Sequence, residues 1–156
     1  MKISEILNEQ VVRVNFECSD KDDAINKIVD LASKSGLMTD IEKVRQCVFE
    51  RENLISTGVG KGFAIPHGKT DEIKGIVAAF VILKEPIDFD SIDLEPVKFI
   101  FLIIGKETLM NAHIKLLSKI SRLMNKDEFR EKLAEAKSTE EVLKLFNNEE
   151  QSVFEI

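Results

Sequence analysis

Two stretches, Gly75–Leu83 and Lys98–Ile104, hold runs without a polar side chain (IVAAFVIL and FIFLII), and they constrain the fold more than any other feature. Rich in β-branched and aromatic residues and lacking polar alternation, they read as strands buried on both faces. Such strands need a covering layer on each side, and the flanking segments have helical periodicity. After the capping pair Ser19-Asp20, residues Ala24, Ile25, Ile28, Val29, Leu31 and Ala32 make an apolar stripe ending near Gly36. After Thr39-Asp40, residues Ile41, Val44, Cys47 and Val48 share one face of a second helix that runs out close to Arg51. A third helix is expected from about Leu109 to Met124, then Asp127 to Ala136, then Thr139 to Phe146 capped by Ser138 with Glu141. A helical turn over Ile3, Ile6 and Leu7 and a strand from Val11 to Phe16 open the chain, and a short strand, Phe63 to Ile65, precedes the two apolar runs. EPIDFDSIDLEP, between those runs, reads as an acidic turn region. The expectation is one α/β domain over residues 1–146, a single sheet between helical layers, with a polar tail, 147–156, that frays. A mixed sheet fits this order of elements as well as a parallel one.

Bulk properties exclude several classes. A net charge of −6 over 156 residues argues against sequence-independent nucleic-acid binding, which needs a basic face. The longest apolar run, eight residues, is far short of the roughly 20 needed to cross a bilayer, so no direct membrane insertion is expected. The N-terminal MKISEILNEQ lacks the apolar run of a signal peptide. Cys18 and Cys47 stand alone, without C-x-x-C or metal-ligand spacing, as reduced thiols of a cytoplasmic chain do.

The stretch from Arg51 to Asp71 (RENLISTGVGKGFAIPHGKTD) holds four of the seven glycines and one of the two histidines. Pro66 fixes its own φ and pushes Ile65 into the extended region, so the approach to His67 is stiff. Gly68 lets the chain turn there or leaves room for a ligand against the backbone. Two phosphate-loop patterns fail. The Walker spacing ending in Gly68-Lys69-Thr70 requires glycine where Phe63 stands, and Gly58-x-Gly60-x-Gly62 has the wrong final spacing for a dinucleotide fingerprint.

His113 shares a helix face with Leu116, Leu117, Ile120, Leu123 and Met124, which puts it at the inward edge of a first turn just beyond a buried strand. Strand ends of this kind gather sites in open α/β sheets, and the positive end of the helix favours an anion. A half-buried histidine bonded to a carbonyl is the plainer reading. If His67 and His113 meet, the pair suits phosphoryl chemistry through a neutral imidazole, with the second ring as donor. Zinc is the rival, but two histidines need a third ligand, and His113 is followed at i+4 by Leu117. Arg51 offers a planar fork for phosphoryl oxygens, or else bonds the last carbonyls of its own helix. Lys69 and Asp71 read as solvated.

Arg51-Glu52-Asn53-Leu54 leading through Gly62-Phe63-Ala64-Ile65-Pro66-His67-Gly68 resembles the active-site signature of type-2 enzyme IIA domains of the bacterial phosphoenolpyruvate-dependent sugar phosphotransferase system, the fructose/mannitol class. Lys69-Thr70-Asp71, the Ile87–Asp93 stretch and His113–Leu117 look most like its fructose-type branch, and the likeness runs from Ile3 to Phe146. The resemblance implies a mixed sheet flanked by helices on both faces. It implies a phosphocarrier in which His67 accepts a phosphoryl group from phosphorylated HPr and passes it to a cysteine of an enzyme IIB domain during sugar uptake. His113 would support the transfer and Arg51 would partner the phosphoryl oxygens, with no cofactor. Nitrogen-type regulators of the same family, which act by phosphorylation-dependent protein binding, are the alternative. Val59, Phe63 and Ile65 could form an apolar docking rim, core packing being the plainer role for Phe63 and Ile65.

Overall fold

A computed structural model describes residues 1–154. A 3-10 turn at Ile3–Glu5 leads into β1 (Val12–Phe16), α1 (Lys21–Ala32) and α2 (Ile41–Leu54). Three short strands follow, β2 (Gly58–Gly60), β3 (Phe63–Ala64) and β4 (His67–Lys69), then the long pair β5 (Ile76–Ile87) and β6 (Val97–Gly105). The chain closes with α3 (Met110–Met124), α4 (Asp127–Glu135) and α5 (Thr139–Phe154). Asp20 and Asp40 cap α1 and α2, accepting from the backbone N–H of Asp23 and Lys43.

The two apolar runs pair with each other. β5 and β6 are antiparallel, with Phe80 opposite Phe101 and Ala78 opposite Ile103. β1 lies parallel to β5, and β3 and β4 lie parallel to β6, while β2 closes antiparallel on β3. The sheet is therefore mixed, in the order β1-β5-β6-β3-β2 with β4 on the far part of β6. α1 and α2 cover one face and α3, α4 and α5 the other. On the second face Phe146 of α5 stacks edge-on against Phe80, Phe101 and Phe129, at 4.9, 5.6 and 5.2 Å between centroids. Edge-on pairs of this kind are favoured by the ring quadrupole beyond their apolar burial.

Two local expectations differ from the structure. β5 continues through Lys84-Glu85-Pro86 to Ile87, which pairs with Val97 after a register shift, where a turn was expected. The irregularity accommodates Pro86, which cannot donate to a ladder. The residues from Asn147 do not fray either, since α5 runs on to Phe154 (155–156 lie outside the described residues). The reason is Glu150. It is buried, and its two oxygens accept the Ile3 N–H at 3.1 and 2.9 Å while one also binds Lys119 Nζ at 2.8 Å. One carboxylate thus ties the first turn of the chain, α3 and the last helix together. Glu150→Ala should lower the unfolding free energy by about 2 kcal/mol in urea, because a buried N–H and an ammonium group lose their partner together.

Candidate functional site

His67 is the first residue of β4, paired with Ile103 of β6. The Ile103 N–H donates to the Pro66 carbonyl at 3.1 Å, which fixes the step into the strand. His67 Nδ1 lies 2.9 Å from the Ile65 carbonyl. A carbonyl only accepts, so this bond requires the proton on Nδ1 and leaves Nε2 with a free lone pair. The ring is half-buried. Burial lowers its pKa below 6.5 and the Arg51 charge lowers it further, against the Ile65 bond and Glu52, which raise it.

Gly68 makes no turn. It continues β4, and a Cβ there would stand 2.4 Å from Cys47 Sγ on α2. The close approach of helix to strand favours glycine there, since a side chain would force the Cys47 thiol aside. Cys47 donates its thiol to the Lys69 carbonyl at 3.3 Å and has its pKa raised, chiefly by burial and then by Glu50. Lys69 is exposed and pairs with Glu107 at 3.7 Å.

His113 stands in the first turn of α3, 1% exposed, its ring edge-on to His67 with centroids 6.1 Å apart. Gly105, the last residue of β6, makes room for it, since a Cβ there would meet His113 Nδ1 at 2.1 Å. His113 Nδ1 is buried without a hydrogen-bond partner among the described residues. Burial, with the His67 charge second, pushes the pKa of His113 from 6.5 down to about 4. The unfolded chain takes up this proton near 6.5 and the folded chain only near 4, so the unfolded state binds more protons between those values. The stabilisation is complete above pH 6.5 and falls away as pH drops toward 4, by on the order of 3 kcal/mol. Urea midpoints followed over that window should fall less steeply in His113→Gln than in the wild type.

Arg51 lies in the last turn of α2. Its Nη1 donates at 3.1 Å to the carbonyl of Ile55, the extended residue just past the helix, and its other N–H groups have no partner among the described residues. It nevertheless lines the same open cleft as both histidines, together with Cys47, Glu50, Leu54, Gly68, Lys69 and Met110. The cleft is about 610 Å³. Leu54, which lines it, is 81% exposed, and Ile55 (67%) and Ile114 (58%), the sequence neighbours of Leu54 and His113, are exposed as well. Val59 is also exposed, whereas Phe63 and Ile65 are core residues. No side chain caps the N-terminus of α3, and the positive end of a helix favours an anion nearby. Among the described residues no three His, Cys, Asp or Glu side chains are grouped to hold a metal ion, and no helix is long and apolar enough to cross a membrane.

Glu52, Thr57 and Gly105 were not singled out by sequence reasoning. Glu52 was within reach: Val44, Val48 and Glu52 recur every fourth residue, so a carboxylate falls on the buried stripe of α2 and must find partners there. Gly105 ends an otherwise unbroken apolar run, but which ring it admits depends on the tertiary fold.

The α/β domain thus presents one half-buried imidazole at a cleft with a second imidazole beside it. Residues 5–149 match the family described as phosphoenolpyruvate-dependent sugar phosphotransferase system, EIIA 2, and the chain belongs to that family. It is 36% identical to the fructose-specific EIIA component of Haloferax volcanii, over 90% of this chain and 91% of that one. It is 33% identical to the fructose-specific EIIABC component of Bacillus subtilis over 94% of its own length, but spans only 23% of that larger protein. The nitrogen regulatory protein IIA-Ntr of Neisseria meningitidis superposes with a TM-score of 0.86 at 34% identity, covering 92% of this chain and 98% of that one. The complex of enzyme IIAMtl with phosphorylated enzyme IIBMtl from Escherichia coli shares the fold, with a TM-score of 0.78 at 22% identity over 91% of this chain and 97% of that one.

Proposed function

We propose that this protein is a cytoplasmic phosphocarrier that accepts a phosphoryl group on His67 from phosphorylated HPr and passes it to a cysteine of an enzyme IIB domain during sugar uptake. The observation that carries this reading is the 2.9 Å bond from His67 Nδ1 to the Ile65 carbonyl, which leaves the Nε2 lone pair available as a nucleophile. In the transfer, His67 Nε2 attacks the phosphorus, the P–N bond to the HPr histidine breaks, and its electron pair returns to that ring. Positive charge developing on the His67 ring is stabilised by the Nδ1–H bond to Ile65. His113 stays neutral above pH 5 and offers its other nitrogen as a donor to the phosphoryl oxygens, while Arg51, in the same cleft with N–H groups to spare, and the positive end of α3 favour the same charge. In the second half a IIB thiolate attacks the phosphorus and the pair returns to Nε2. Exposed Leu54 on the cleft wall, with exposed Ile55 and Ile114 next in sequence to Leu54 and His113, gives apolar surface that suits successive protein partners. The Escherichia coli mannitol complex joins a IIA of this fold to a phosphorylated IIB.

A second reading, a nitrogen-type regulator, is favoured by the likeness to IIA-Ntr. Its phosphorylation would set the choice of protein partner instead of feeding a sugar. Phosphorylating the protein with HPr and adding a fructose-type IIB domain separates the two. Discharge to the IIB cysteine within seconds supports the carrier, and a stable phosphoprotein in its presence supports the regulator.

A further inference from the structure

The ring of His67 is held by a single hydrogen bond, and the chain of contacts behind that bond starts at Glu52. Glu52 follows Arg51 in the last turn of α2 and is 5% exposed. Its carboxylate makes three contacts. Oε1 accepts the Thr57 N–H at 2.9 Å and pairs with Lys21 Nζ at 3.0 Å, and Oε2 accepts the Thr57 hydroxyl at 2.6 Å. Thr57 is itself buried, and its carbonyl accepts the Ile65 N–H at 3.1 Å. The carbonyl of that same Ile65 receives the proton of His67 Nδ1 at 2.9 Å.

We infer that Glu52 is a positioning residue for phosphoryl acceptance: by fixing Thr57 it fixes the Ile65 carbonyl, and so holds His67 in the tautomer whose Nε2 is free to attack. A neutral imidazole exchanges its proton between two nitrogens, and the acceptor offered to one of them decides which is occupied. A shift of the Ile65 carbonyl by a fraction of an ångström weakens that preference and also turns the ring away from the line of attack. The other side of His67 is set independently by the β6 ladder, through Ile103 N–H to the Pro66 carbonyl. Loss of Glu52 therefore frees one end of the Ile65–His67 segment while β4 stays paired. Lys21 is kept in place by Asp90 at 3.5 Å and by the Phe89 ring at 4.9 Å, so it serves as the counter-charge of Glu52 and does not reach the histidine.

The consequence for transfer rests on the phosphocarrier reading, whereas the consequence for the ring does not, and the test reads both. His67 tautomers are measured by long-range 15N–1H NMR of the free protein, and acceptance rates with phosphorylated HPr, in the wild type, Glu52→Gln and Glu52→Met. The wild type should carry its proton on Nδ1. Gln keeps an oxygen for the Thr57 N–H and should retain that tautomer and most of the rate. Met has nearly the same length but no acceptor; it should shift the proton population toward Nε2 and slow acceptance roughly tenfold or more. Should the Met variant not fold, Glu52→Asp keeps the charge, withdraws the oxygens from Thr57 by one methylene, and carries the same expectation. A folded Met or Asp variant with the wild-type tautomer and rate overturns the inference. A wild type that takes no phosphoryl group at all removes the carrier reading and leaves the tautomer result to decide the role of Glu52.

Discussion

His67→Ala takes up no phosphoryl group from phosphorylated HPr, a loss of at least about 1,000-fold, while its unfolding free energy stays within about 1 kcal/mol of the wild type. The two halves of this expectation have separate causes. The half-buried ring makes one hydrogen bond and fills no core, so its removal is mild for the fold. The chemistry has no substitute nucleophile in the cleft. His113 is 1% exposed, and the Cys47 thiol is bonded to the Lys69 carbonyl with its pKa raised, so it supplies little thiolate. Stoichiometric labelling of His67→Ala under conditions that label the wild type would move the acceptor elsewhere.

Gly105→Ala should damage both fold and transfer. The added methyl would stand 2.1 Å from Nδ1 of His113, 2.8 Å from Cγ and 2.9 Å from Cβ, all far inside van der Waals contact. β6 is the central strand and cannot retreat, so the helix turn bearing His113 must. The expected loss is about 2–3 kcal/mol of stability by urea unfolding and about 10- to 100-fold in the acceptance rate, from displacement of the supporting ring. Combining it with His113→Ala should recover only part of the stability, because the His113 Cβ itself is among the clashing atoms. Wild-type stability and rate in the single variant would mean that the two rings are not held as described.

The sheet was legible because its two central strands are apolar on both faces, and no other element tolerates that in a chain with so many charged residues. The helices were legible from their apolar stripes and caps. The extent of α5 was not, because Asn147, Asn148, Glu149 and Glu150 look like a solvated tail until Glu150 meets the Ile3 N–H, a contact 147 positions away. β4 was missed for a related reason. His67-Gly68-Lys69 has no strand pattern of its own, and its extended form comes from pairing with β6. The same pairing explains why Gly68, read either as a turn or as room for a ligand, makes no turn and packs against Cys47. At the site, His67, His113 and Arg51 were each nameable from local cues, and the fold brings all three to one cleft. The contacts behind the two rings, Glu52 to Thr57 and Gly105 to His113, carry only faint signals in the chain.

The most direct measurement is the position of phosphorus on the ring. The 15N-histidine-labelled protein is charged with enzyme I, HPr and phosphoenolpyruvate, and the acid-labile phosphate is located by 31P–15N coupling. A single phosphohistidine at Nε2 of His67, with Nδ1 still protonated toward Ile65, is the expected result. Phosphate on His113, on Nδ1 of His67, or on neither histidine would contradict it.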